Sequence, residues 1–104
     1  MGRLREVCGA VSGMFLAAGL LYGYEDPADR AAKTAHYERG QALAQPFRQE
    51  TGSIVCRELL GLSGPQSPEP EARTERYYQK RPCQALVGSA ARNLDQYIRD
   101  HPLN

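Results

Sequence analysis

Between Cys8 and Tyr22 the chain carries no charged residue. Bulky Val11, Phe15, Leu16, Leu20 and Leu21 are interspersed with small Gly9, Gly13 and Ala17, so a helix built from this run is apolar nearly all round. Such a helix has to be covered by other elements, and it is expected in the middle of a bundle. The run falls short of the roughly 20 apolar residues that a bilayer span needs, includes Ser12 and is diluted by glycine, so no membrane span is expected. Arg3 and Arg5 ahead of it imitate a secretory leader. Glu6 interrupts that basic end, however, and no small-x-small cleavage site precedes Glu25 and Asp26, so a leader is not expected either. Gly9 and Gly13, four apart, remove side chains from one face and predict close approach of a second helix; Gly23 predicts a left-handed stop.

The remaining segments also read as helices. Asp26 is placed as an N-cap and Pro27 at a first helical position, with Ala28, Ala31, Ala32, Ala35, Leu43 and Phe47 tracing one apolar stripe. Gly40 weakens that helix and Pro46 is expected to kink or break it. After Gly52, Ser53 can cap a short helix from Ile54 to about Leu60, closed by Gly61. From Leu62 to Ala72 the Ser-Gly-Pro, Ser-Pro and Glu-Pro pairs predict an exposed Pro-rich loop, followed by a weak short helix over about Glu71 to Gln79. Pro82 opens a last helix whose Leu86, Val87, Ala90, Ala91, Leu94 and Ile98 share one face before His101 and Pro102 stop it. No segment alternates with period two. The expected fold is therefore all-α, a small bundle of about four helices with a Pro-rich loop before the last.

Length and charge narrow the function. The 104 residues make a single domain, 1–104, with one modest core. Thirteen Lys and Arg against 12 Asp and Glu leave a net charge of +1, so no overall field recruits nucleic acid. Three cysteines cannot all pair with one another, which suits a reducing compartment, and a cytoplasmic location is expected.

Those cysteines carry the chemical interest. Cys8, Cys56 and Cys83 each fall near a predicted helix start, where partial positive charge favours thiolate, and Arg57 and Arg81 stand beside two of them. Free cysteine is also among the most buried residue types and often only fills a core. No Cys-x-x-Cys pair occurs, which excludes zinc-ribbon and thioredoxin motifs; any joint site has to be assembled by the fold. His36 and His101 read as surface histidines, Tyr77 and Tyr78 as loop packing rather than an RNA-stacking patch, and Glu58 has no partner for an acid/base pair. Gly-rich phosphate loops and Gly-x-Ser-x-Gly elbows are absent.

The stretch from Glu6 to Gly13, with Gly19 to Gly23 after it, resembles the redox-active family named for its C-GCAxxG-C-C cysteine pattern. FRQETGSIVCRELLG from Phe47 to Gly61 is similar to that family's third-cysteine segment, and Arg81 to Val87 to its fourth. Carried over residue by residue, Cys8, Cys56 and Cys83 match three of four cysteines, and Gly9, Ala10 and Gly13 match the small-residue motif. The family's first cysteine, on an additional N-terminal helix, has no counterpart in this sequence. The resemblance implies a prokaryotic, cytoplasmic protein with a redox or metal role, and makes an iron–sulfur cluster a cofactor to consider.

Three functional readings follow. In the first, Cys8, Cys56 and Cys83 converge as iron–sulfur or zinc ligands, with water, histidine or a partner's cysteine as fourth, or serve a redox partner as a thiol–disulfide couple. In the second, the module is structural: it forms a homodimer, or docks a protein partner, over its uncovered first helix. The third is a thiol enzyme with one activated cysteine, for which no general base stands at a recognisable spacing.

Overall fold

Side chains cap two of the helices, Asp29 for the one from Arg30 and Thr74 for the one from Glu75. In the computed structural model, which describes residues 1–103, the order is α1 (Gly9–Tyr22), α2 (Arg30–Thr51), α3 (Cys56–Leu59), α4 (Glu75–Lys80) and α5 (Cys83–Asp100). The described residues are all-α, with five helices rather than about four. Only α1, α2 and α5 are long enough to build a core, and all three pack on one another.

The α2 start differs from its expected place. Asp29, not Asp26, is the N-cap: its carboxylate accepts from the Ala32 amide, a bond typically worth about 1 kcal/mol. Asp26 instead accepts from the Ala28 amide and holds Pro27 in a turn ahead of the helix. Pro46 lies inside α2 and does not end it. Both Pro46 and Ala42, whose carbonyl would have received the missing N–H, are exposed, so water can take over that acceptor. Gly52, at φ 97, supplies the left-handed stop. Gly23 does not; it is extended, and glycine is needed there because a Cβ would overlap the Gly19 carbonyl.

Val55, not Ser53, caps α3, while Ser53 bridges the Val55 amide and the Glu58 carboxylate one step earlier. Pro82 occupies the cap position of α5, so Cys83 is the first helical residue. Thr74 caps α4 by accepting from the Tyr77 amide, which starts that helix at Glu75 rather than Glu71.

The core is small: Cys8, Val11, Met14 and Ala18 meet Leu43 and Phe47 from α2 and Leu86 and Ala90 from α5. Ala28, Ala31 and Ala35 are exposed, so the early alanines of the predicted stripe stay outside it. Helix α1 is covered on one side only. Leu16 and Leu20 are 72% and 89% exposed, and a Cβ on Gly9 or Gly13 would meet nothing within 4 Å, so no helix closes on the small-residue face. The radius of gyration, 15.6 Å, exceeds the about 13 Å of a typical 100-residue globule.

Candidate functional site

The cysteine end of the bundle is assembled by a backbone contact between two segments 48 residues apart. Val7 and Val55 form an isolated antiparallel bridge, with the Cys8 amide donating to the Ile54 carbonyl at 2.8 Å and the Cys56 amide donating to the Glu6 carbonyl. Side chains alternate across such a pairing. Val7 and Val55 therefore share one face, and Cys8 and Cys56 share the other as diagonal neighbours, a relation that sets Cα atoms roughly 7–8 Å apart. Cys8 is buried in the core, Cys56 half-buried and Cys83 exposed; all three are free thiols.

Arg5 reaches Cys56. Its Nη1 lies 3.7 Å from Cys56 Sγ, within range of a hydrogen bond to sulfur, while Nε and Nη2 both donate to Gln66 Oε1 at 2.9 and 2.6 Å. Arg3 and Arg5 have φ values of 58° and 61°, left-handed conformations that cost a non-glycine residue about 1 kcal/mol each. Charged hydrogen bonds, each worth about 1.5–3 kcal/mol, offset this: Arg5 on Gln66, and Arg3 donating to the Ser67 carbonyl at 2.6 Å.

The two arginines singled out by sequence neighbourhood turn elsewhere. Arg57 donates to Glu6 at 2.9 Å and Arg81 to Glu71 at 2.7 Å, so each guanidinium is matched by a carboxylate. Arg5 and its neighbour in space, Cys56, are 51 residues apart in sequence. No periodicity signals such a contact.

Cys83 occupies a separate depression lined by Arg73, Tyr77, Tyr78, Arg81, Gln84 and Val87. Tyr77, on α4 rather than in a loop, carries Arg73 and Arg81 over its ring at 4.4 and 5.0 Å. His36 faces Arg39, with 2.9 Å between Nδ1 and Nη1, and His101 stacks on Tyr97; neither turns toward a cysteine.

A closed metal cage needs three or four donors converging on one point. Among the described residues no three His, Cys, Asp or Glu side chains do so. The donor set as placed does not fit a cluster or zinc ion held jointly by Cys8, Cys56 and Cys83.

An all-helical chain with free cysteines at the starts of three helices defines a class of cysteine-bearing helical proteins. Within that class, the family model described as "Putative redox-active protein (C_GCAxxG_C_C)" matches residues 1–97, and the chain belongs to that family. Comparison with curated proteins and with solved structures found no match. No helix among the described residues is long and apolar enough to cross a membrane.

Proposed function

We propose that this chain acts, as one domain, in thiol–disulfide exchange through Cys8 and Cys56, with Cys83 as a third, separate thiol. The observation that carries this reading is the Val7 and Val55 bridge, beside which Cys8 and Cys56 fall on one face of the paired backbone. Exchange proceeds by attack of the Cys56 sulfur on the disulfide of a redox partner, giving a mixed disulfide and releasing one partner thiolate. Cys8 then attacks Cys56, closing the intramolecular disulfide and releasing the second thiolate. Its own proton passes to water, and the partner leaves as a dithiol carrying the two electrons.

A disulfide needs Cα atoms about 4.4–6.8 Å apart, slightly nearer than diagonal neighbours stand. The closure falls on α3, a helix of four residues with none buried. An odd number of thiols in a reducing, cytoplasmic setting fits this cycle.

The test is a thiol count with mass mapping after equilibration in glutathione buffers of graded potential, alongside iron, sulfide and zinc analysis of protein purified without oxygen. A reversible two-electron transition joining Cys8 to Cys56, lost in both Cys8→Ser and Cys56→Ser and kept in Cys83→Ser, is expected. Stoichiometric metal lost equally in all three variants would replace this reading with a ligand site.

A second reading is favoured by the open side of α1. Gly9, Gly13, Leu16 and Leu20, beside exposed Val87 and Ala91 of α5, make an apolar face without a charge on α1, and such faces commonly mark association sites. A second copy of the chain is the proposed occupant. Sedimentation across a concentration series is expected to reveal a dimer that Leu16→Glu abolishes. A monomer at every concentration would dismiss this second reading.

A further inference from the structure

We infer that Arg5 is the positioning residue for Cys56: its guanidinium steadies negative charge on that sulfur and makes Cys56 the first of the three cysteines to react. This rests on the exchange reading only in taking Cys56 as the attacking sulfur.

The charge balance around the sulfur carries the inference. Arg3, Arg57, Arg81, Arg92 and Arg99 each make an ion pair with a carboxylate, whereas Arg5 makes none among the described residues. Its fixed partner is the neutral amide of Gln66, which takes two of its N–H groups and fixes the plane of the guanidinium. The remaining nitrogen, Nη1, is thereby aimed at Cys56 Sγ with its positive charge uncancelled. A hydrogen bond from a charged donor strengthens as its acceptor becomes anionic. The interaction therefore grows as Cys56 passes from thiol to thiolate, the form that attacks a disulfide. Among the described residues neither other cysteine accepts a hydrogen bond from a guanidinium. Cys8 is buried among apolar side chains, and of the two arginines lining the Cys83 depression, Arg81 is engaged by Glu71 and Arg73 lies over the Tyr77 ring.

The left-handed backbone at Arg5 supplies a clean variant. Glycine is at ease at φ 61, so Arg5→Gly removes the guanidinium and relieves the conformation at once. The experiment is site-resolved alkylation of the reduced full chain with iodoacetamide and, separately, anionic iodoacetate, the labelled peptides being quantified by mass spectrometry.

Exposure alone would make Cys83 the fastest; the inference instead places Cys56 ahead of Cys83 by on the order of tenfold. Arg5→Gly is expected to slow Cys56 about tenfold, to leave Cys83 unchanged, and to lower the iodoacetate-to-iodoacetamide ratio at Cys56. Arg5→Lys is expected to restore much of both, which a purely structural role would not predict. If Arg5→Gly loses its helical circular dichroism, Arg5→Gln is read in the same way.

Cys83 leading in the native chain, an unchanged or faster Cys56 in Arg5→Gly, or an Arg5→Lys no better than Arg5→Gly would each overturn the inference. Because alkylation needs neither a second cysteine nor a redox partner, failure of the exchange cycle would leave these rates intact and thus be recognised separately.

Discussion

The two ends of the helical core are held by opposite means. At the end bearing Tyr22 and His101 the helices largely supply their own ties. Tyr22 and Tyr97 meet edge to face at 5.4 Å, Tyr97 stacks on His101 at 4.0 Å, and Arg39 lies over Tyr22 while donating to the Tyr97 hydroxyl at 3.1 Å. At the cysteine end the ties come mostly from outside the helices. Residues 3–8 are laced to residues 54–67 by backbone hydrogen bonds and by Arg3, Arg5 and Arg57. The difference teaches how a small protein can hold a fixed body and an adjustable site together. Stacked rings tie helix to helix, whereas a short bridge and long polar side chains tie the helices to the segments that precede and follow them.

The largest effect is expected where both ends depend on one residue. Phe47 is fully buried between α1, α2 and α5, and Phe47→Ala should lower unfolding stability by about 3–5 kcal/mol, measured by urea denaturation. Tyr97→Ala comes next. Losing its aromatic partners should cost about 2 kcal/mol, with the alkylation rate of Cys56 unmoved; a changed rate would break the independence of the two ends.

The smallest effect concerns the polar tie between α2 and α5 near the cysteine end, where buried Ser89 donates to Glu50 at 2.9 Å and Arg92 donates to its other oxygen at 3.0 Å. The Ser89 hydrogen bond, and then Arg92, hold the Glu50 carboxyl below its ordinary value of 4.5. A lowered carboxylate contributes stability that is complete above 4.5 and is lost as pH falls through the lowered value in the folded chain. Denaturation across an acid series should accordingly show the stability gap between the native chain and Ser89→Ala narrowing below that pH. A gap constant down to strong acid would deny Glu50 any part in it.

Legibility in the sequence divided along the same line. Helix α5 could be read almost to its ends because Leu86, Ala90, Leu94 and Ile98 repeat with the helical period and Pro82 and His101 bracket them. The start of α2 falls three residues later than Asp26 before Pro27 predicts, because the Ala28 amide closes a turn on Asp26 and leaves Asp29 to cap the helix. The face of α1 left open was misread. Small residues permit close approach without supplying a neighbour, and nothing local reveals that none arrives. At the site, the three cysteines were visible as residue types, but the Val7 and Val55 bridge that draws the Cys8 and Cys56 segments together and the Arg5 contact to Cys56 span 48 and 51 residues. The nearby charges at Arg57 and Arg81 drew attention from sequence adjacency, and carboxylates claim both.

The bridge between Val7 and Val55 also bears on how the molecule comes together in time. It spans α1 and the whole of α2, so it can form only after those helices have folded back on each other, and contacts of such sequence separation close late. Before that closure Cys8 and Cys56 are strangers on a growing chain and Arg5 has no sulfur to face. Completion of the fold is then what brings the Arg5 guanidinium, made at the start of the chain, to a sulfur made 51 residues later.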